Sequence, residues 1–81
     1  MYYVYVLKSR STGKHYTGYT KNLSRRLRQH NTGQSKATRW RGPFDVLYVE
    51  EFSSRSAAMR REAYFKQGKG REELQIRILQ G

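Results

Sequence analysis

The chain has 81 residues, with 17 Lys and Arg against 6 Asp and Glu, so its formal net charge is +11. It contains no Cys and no apolar run of about eighteen residues, which excludes disulfides, cysteine-held metals and a transmembrane helix. We expect one small domain over residues 1–81, and the spread of basic residues is typical of a folded nucleic-acid-binding surface, although ribosomes and anionic membranes also attract such charge. Because the first residues do not resemble a signal peptide, we expect a cytoplasmic protein with no membrane partner.

The first two predicted elements are strands joined by a tight turn. Residues 2–8 are β-branched and aromatic, and residues 14–19 resume this pattern after a short polar stretch, which predicts a β-hairpin. A turn centred near residues 10 and 11 would place Tyr5 opposite Tyr16. A slip of one residue would put the two side chains on opposite faces of the sheet.

A helix is predicted next. Asn22 can cap a helix over residues 23–30, and Gly33 is a usual stop. Two leucines four positions apart form an apolar stripe along this helix. Arg26 and His30, also four apart, form a second stripe that we expect on a different side.

The second half of the chain predicts a strand and two more helices. Residues 44–50 read as a third strand, and Ser53 is a good N-cap for a helix that stops near Gly68 and Gly70. Residues 72–79 predict a short final helix. The order β-β-α-β-α-α indicates a small antiparallel sheet covered by helices, an α+β domain.

The candidate functional side chains each have an ordinary structural interpretation as well. A strand tyrosine such as Tyr16 is usually a half-buried packing residue, and the functional alternative is a phenol that deprotonates water beside positive charge. For Tyr5 the functional alternative is a supporting hydrogen bond. The sequence leaves both interpretations open.

The same choice applies to the predicted first helix. Arg26 is either one of several solvated charges or the bidentate ligand of a scissile phosphate, and only Arg26 shares a face with His30, since Arg25 and Arg28 point elsewhere. His30 either caps the helix end as a cation or, in a nuclease, polarises the phosphate or handles the leaving-group proton.

Glu62 is one of only six acidic residues. An ion pair with Lys66, four positions later, is its ordinary interpretation. The functional interpretation is a carboxylate that holds one Mg²⁺, an ion that keeps most of its waters and takes few protein ligands. A single carboxylate is a poor site alone, which favours either substrate-assisted metal binding or no metal.

The combined pattern resembles the GIY-YIG nuclease domain, and more narrowly its small single-domain bacterial members. The resemblance runs through nearly the whole chain. It rests on Tyr3-Val4-Tyr5, Tyr16-Thr17-Gly18, the helix over 23–33, Thr38-Arg39 with Pro43, and Arg61-Glu62 with Lys66. It implies a three-stranded antiparallel sheet flanked by helices, and hydrolysis of DNA phosphodiesters that depends on a single Mg²⁺ or Mn²⁺ ion.

The resemblance also implies roles for residues at matching positions. Tyr16 matches the general base, Arg26 the phosphate-stabilising arginine, Glu62 the metal ligand, Tyr5 a supporting tyrosine and His30 a histidine of the structure-specific branch. The expected DNA-contacting residues are basic: Arg25, Arg28, Lys36, Arg39, Arg41 and Lys66.

The sequence departs from the motifs without losing their tyrosines, since Tyr3 and Val4 replace Gly and Ile in the first motif and Thr17 replaces Ile in the second. Family endonucleases commonly take specificity from an attached module, for which 81 residues leave no room. We therefore expect an endonuclease that selects branched, flapped or nicked DNA in repair or recombination, with a protein partner as a further source of specificity. A non-catalytic nucleic-acid-binding module of the same fold is the alternative, RNA is a possible substrate, and a protein-interaction adaptor is a third option.

Overall fold

The computed structural model describes residues 1–33 and 42–80, and within them the predicted order β-β-α-β-α-α is confirmed. The elements are β1 (Tyr2–Ser9), β2 (His15–Thr20), α1 (Leu23–Asn31), β3 (Phe44–Phe52), α2 (Arg55–Phe65) and α3 (Gly68–Gln80). The strands form one antiparallel sheet in the order β2-β1-β3, so β1 is central. Among the described helices, none has the length and apolar character needed to span a membrane.

The central strand is buried on both faces. Val4 and Val6 point to one side, where they pack with α2 and α3, and Tyr5 and Leu7 point to the other, where they pack with α1. Because successive strand residues face opposite ways, four consecutive buried side chains are expected only in a strand that helices cover on both sides. The sheet therefore lies between α1 and the α2–α3 pair.

The hairpin register differs from the predicted one. Tyr5 pairs with Gly18, and Tyr16 pairs with Leu7, so the expected Tyr5–Tyr16 pair was wrong. The turn lies one residue later than predicted and uses Gly13 at φ +74°, a conformation that favours glycine. Moving the turn centre by one residue shifts the pairing by two, so both tyrosines keep to the same face of the sheet.

Helix α1 has the predicted ends. The Asn22 side chain accepts a hydrogen bond from the Arg25 backbone N–H at 3.0 Å, and Gly33 follows the helix at φ +77°. The two predicted stripes are not on different sides, however. At about 100° per residue, the leucines, Arg26 and His30 occupy adjacent parts of one face, and this face packs toward the sheet.

The boundaries of the last two helices correct the prediction. Ser54, not Ser53, caps α2 by accepting a hydrogen bond from the Ala57 backbone N–H at 3.2 Å. Helix α3 begins at Gly68 instead of residue 72, so Gly68 and Gly70 lie inside it. Gly70 is buried against the end of α2, where a Cβ atom would overlap the backbone carbonyl of Tyr64.

Two acidic residues join β3 to both C-terminal helices. Arg61 donates to Glu50 at 2.8 Å and to Glu73 at 2.8 Å, and Arg77 also donates to Glu73 at 2.9 Å. The Arg61 guanidinium lies 4.3 Å from the Phe65 ring centroid as well. Arg61 is partly shielded from solvent, so these contacts hold α2 in place against β3.

We predict that Gly70→Ala destabilises the fold by about 1–3 kcal/mol or more, because the added methyl group has to push α3 away from α2. Gly68→Ala is the matched control. No atom lies within 4 Å of the corresponding Cβ position, so its stability should stay within about 0.5 kcal/mol of the parent or rise slightly. Urea unfolding measures both, and equal stabilities of the two variants would contradict this packing.

Candidate active site

The hydroxyl group of Tyr5 lies at the centre of the polar cluster between the sheet and α1. Tyr5 is only 1% exposed, and its ring extends over Gly18 in the neighbouring edge strand. A Cβ atom at Gly18 would lie 2.6 Å from the Tyr5 hydroxyl oxygen. The absence of a side chain at Gly18 therefore creates the space that this phenol fills.

Helix α1 supplies two partners for the Tyr5 hydroxyl. Arg26 Nε donates to it at 3.4 Å, and His30 Nε2 is hydrogen-bonded to it at 3.1 Å. Burial raises the pKa of Tyr5 and the Arg26 charge opposes this only in part, so the phenol stays protonated at neutral pH. Tyr5 acts here as a hydrogen-bonding residue, in agreement with the supporting contact considered from the sequence.

His30 is buried and neutral. It is 1% exposed, and burial, followed by the nearby Arg26 charge, lowers its pKa to about 4. Its ring centroid lies 4.9 Å from that of Tyr16 and 5.9 Å from that of Phe44. The interpretation of His30 as a cationic helix cap is therefore wrong, and the imidazole presents almost no surface to a substrate.

Tyr16 is the phenol of this cluster that solvent reaches. It is half-buried, and its ring centroid lies 6.4 Å from that of Tyr5. The hydrogen bond to Tyr5 is the main cause that raises the pKa of Arg26, and interaction with the Tyr16 hydroxyl adds to it. An accessible phenol and a guanidinium thus lie side by side at the edge of the cluster.

Gln29 is a residue of this cluster that the sequence analysis did not select. Its Oε1 accepts a hydrogen bond from Arg26 Nη1 at 3.1 Å, so Arg26 is held by two side chains. The i, i+3 spacing of Arg26 and Gln29 on a helix was the available signal. Arg25 and Arg28, by contrast, are exposed and have no side-chain hydrogen bond to this cluster in the part of the chain that the structure describes.

Glu62 approaches the cluster from another direction. It lies on α2, which packs on the sheet face opposite α1, and it makes the expected ion pair with Lys66 at 3.1 Å. Its side chain is 19% exposed, and its charge contributes to raising the pKa of Tyr5. Four of the five candidate residues are therefore in contact with one another, whereas Glu62 interacts with them only through longer-range electrostatics.

Half of the six expected DNA-contacting residues lie in the part of the chain that the structure describes. Three of them are described, namely Arg25 and Arg28 on the exposed side of α1 and Lys66 in its ion pair with Glu62. Lys36, Arg39 and Arg41 lie outside the described residues, as does the Thr38-Arg39 motif.

The donor set restricts the kind of metal site. Residues 1–33 and 42–80 contain no group of three or more His, Cys, Asp or Glu that could hold an ion. The single carboxylate of Glu62 fits an ion such as Mg²⁺, which uses one or two carboxylates and completes its shell with water and substrate phosphate oxygens. A single carboxylate does not fit a metal ion whose ligands all come from the protein.

Two clefts flank the edge strand β2. One, of about 500 Å³, includes Tyr16 and residues at the end of α2 and in α3. The other, of about 300 Å³, lies at the start of α1 and includes Lys21, Arg25 and Arg26. Both clefts carry basic side chains, so the two ends of β2 offer anion-attracting concave surfaces.

Comparison with known proteins decides the family. Residues 1–75 match the GIY-YIG catalytic domain. The chain belongs to the GIY-YIG family. It is 49% identical over 76 residues to a UPF0213 protein of Oceanobacillus iheyensis, covering 93% of this chain and 87% of that protein. A UPF0213 protein of Halobacterium salinarum is 47% identical over 68 residues, covering 83% and 87%.

The structure of a GIY-YIG relative supports the fold. The solution NMR structure of a UPF0213 protein from Bacillus halodurans is similar with a TM-score of 0.59 and 40% identity, covering all of this chain and 87% of that one. GIY-YIG domains form a nuclease family, and the UPF0213 names specify no substrate.

We predict that the neutral state of His30 makes stability depend on pH. Since its pKa is lowered to about 4, the unfolded chain binds a proton more readily, and stability falls as the pH drops from about 6.5 to 4, by up to about 3 kcal/mol. Urea unfolding across this range should show a smaller loss for His30→Gln than for the parent.

The control for this measurement is His15→Gln, which removes the other, exposed histidine. Its stability should follow the pH dependence of the parent. A pH dependence that is unchanged by His30→Gln would show that the imidazole titrates normally in the folded protein.

Proposed function

We propose that this GIY-YIG protein is a metal-dependent endonuclease that hydrolyses DNA phosphodiester bonds. The observation that carries the proposal is the pairing of an accessible phenol, Tyr16, with the anchored guanidinium of Arg26 at the edge of the cluster around Tyr5. Membership of a nuclease family and a net charge of +11 support it.

The proposed chemistry gives different roles to half-buried and fully buried residues. Tyr16, as the phenolate, accepts the proton of the attacking water as its oxygen bonds to phosphorus, and the P–O bond to the leaving sugar oxygen breaks, with solvent supplying a proton to that oxygen. Arg26 binds the scissile phosphate and stabilises the charge that develops on it. Tyr5 and His30 position Arg26 and Tyr16 through hydrogen bonding and ring packing. Glu62 would hold a single Mg²⁺ or Mn²⁺ ion, which when bound supplies charge stabilisation at the phosphate.

The proposed substrate is DNA selected by its structure. Arg25 and Arg28 are exposed beside Arg26, and their charges can follow a phosphate backbone without reading bases. We further propose that the substrate is branched, flapped or nicked DNA in repair or recombination in the cytoplasm, with a protein partner as a further source of specificity. RNA remains a second substrate to test.

A non-catalytic nucleic-acid-binding module is the second candidate. Glu62, the proposed metal ligand, is paired with Lys66, and the described residues hold no group of three or more His, Cys, Asp or Glu that could bind an ion. Under this alternative the ion pair is permanent and the positive surface alone acts. Cleavage assays with Mg²⁺ and Mn²⁺ on linear, flapped, nicked and four-way DNA separate the two functions.

We predict that Tyr16→Phe and Glu62→Ala abolish cleavage without weakening DNA binding. Loss of the phenol hydroxyl should lower the rate by about 10²- to 10⁴-fold. Removing Glu62 deletes the carboxylate that would hold the metal and frees Lys66, so DNA affinity should stay equal or rise slightly. Single-turnover cleavage and fluorescence anisotropy measure the two properties separately.

Matched variants test whether these losses are specific. Tyr19→Phe and Glu72→Ala make the same chemical changes outside the cluster and should cleave at the parent rate. Arg26→Ala should lose about 10²- to 10³-fold in rate, whereas the neighbouring Arg25→Ala should cleave normally once saturated with DNA. Parent-level cleavage by both Tyr16→Phe and Glu62→Ala would identify a contaminating nuclease.

We predict that DNA binding is electrostatic and largely independent of sequence. Log affinity should fall linearly with log salt, with a slope of about 0.9 for each neutralised phosphate. Arg25→Ala should reduce this slope by about 1, while Arg10→Ala should not, because Arg10 is already paired with Asp45 at 2.7 Å. A DNA affinity that does not change with salt concentration, or that depends strongly on one DNA sequence, would refute this prediction.

A further inference from the structure

The larger cleft beside Tyr16 has no role in the chemistry proposed above. Its volume is about 500 Å³, within the range of sites that bind small organic molecules. It opens where the edge strand β2 meets the end of α2 and the first half of α3. Tyr16 is one of its lining residues, so the cleft borders the candidate active site at the edge strand.

The cleft combines three kinds of side chain. Lys66 and Arg71 supply positive charge, Leu74 exposes a small apolar surface above the buried Phe65, and Gln75 adds an amide that can both donate and accept hydrogen bonds. A phosphate group binds to positive charge, and the face of an aromatic base packs on an apolar surface. The polar edge of that base forms hydrogen bonds with an amide. A nucleotide is the ligand class that uses all of them.

The two cations differ in availability. Lys66 is paired with Glu62, whereas Arg71 is exposed and makes no ion pair with a carboxylate in the described ranges. An arginine of this kind is suited to bidentate binding of a phosphate. Arg71 is therefore the side chain from which we expect the largest charge contribution in this cleft.

We propose that this cleft binds one nucleotide of the substrate strand next to the scissile phosphate, with Arg71 on a backbone phosphate and the base over Leu74. The assignment rests on the proposed nuclease function, because Tyr16 then links the bound nucleotide to the bond that is cut. Where a DNA duplex is open, an unstacked base can enter the cleft. This gives a physical reason for a preference for branched or flapped DNA over intact duplex.

Binding to a short oligonucleotide tests the cleft without any cleavage. Thymidine trinucleotide is titrated into the full ¹⁵N-labelled chain and followed by amide shifts. We expect shifts at Arg71, Leu74 and Gln75, and about tenfold weaker binding when the central base is replaced by an abasic site. Inorganic phosphate and thymidine 5′-monophosphate are titrated in parallel.

Arg71→Ala and Lys69→Ala are the matched variants, since both remove one positive charge from α3 and only Arg71 lines the cleft. Arg71→Ala should weaken trinucleotide binding about tenfold, and Lys69→Ala less than about twofold. Equal losses, shifts confined to other residues, or abasic and inorganic phosphate ligands that bind as well as the trinucleotide would overturn the proposal. Tighter binding of the free monophosphate than of the trinucleotide would overturn the assignment to a strand.

These results are distinguishable from a failure of the nuclease proposal. If Tyr16→Phe abolishes cleavage while Arg71→Ala and Lys69→Ala bind alike, the cleft assignment is wrong and the nuclease stands. If the parent cleaves no DNA but binds the trinucleotide in this cleft, the nucleotide site stands and the catalytic assignment is wrong.

Discussion

The buried hydroxyl of Tyr5 is the contact on which the rest of the site depends. It fills the space left by Gly18, and it is the common hydrogen-bonding partner of Arg26 and His30. A buried phenol without such partners would be costly, so the Tyr5 hydroxyl depends on these two side chains of α1. The hairpin and α1 are consequently held together by this hydroxyl group as well as by the packing of Leu23 and Leu27, and the orientation of the proposed catalytic arginine is a consequence of core packing.

This arrangement gives the two tyrosines of the site different physical properties. Burial raises the pKa of the enclosed Tyr5, so it remains a neutral hydrogen-bonding group, while Tyr16 is only half-buried beside the same guanidinium. His30 belongs with Tyr5, since burial keeps it neutral. The two tyrosines of the motifs thus differ in burial, a difference that the sequence motif does not reveal.

Features that depend on residues close together in the sequence were predicted better than features that depend on how distant elements pack. The Asn22 cap depends only on neighbouring residues, and the spacing of Arg26 and His30 correctly placed both on one helix face. The strand pairing was missed because a turn that moves by one residue shifts the partner of Tyr5 by two. Gly70 was interpreted as a helix stop, since its close contact with α2 depends on how two helices pack and leaves no local signal. The roles of the site residues stay predictions, because proximity alone does not establish chemistry.

The order of the strands leaves β2 and β3 as the two outer strands of the sheet, and the scarce negative charges are divided unequally between them. Asp45, Glu50 and Glu51 place half of the six acidic residues on β3, whereas β2 has none. Arg10 pairs with Asp45 and Arg61 pairs with Glu50, so these arginines offset much of the negative charge of β3. A polyanion that approaches the molecule still meets carboxylates along β3 and none along β2, which favours approach from the β2 side. Glu51 is exposed on this outer strand, and a charged side chain at such a position also discourages two copies from pairing along β3 into a larger sheet.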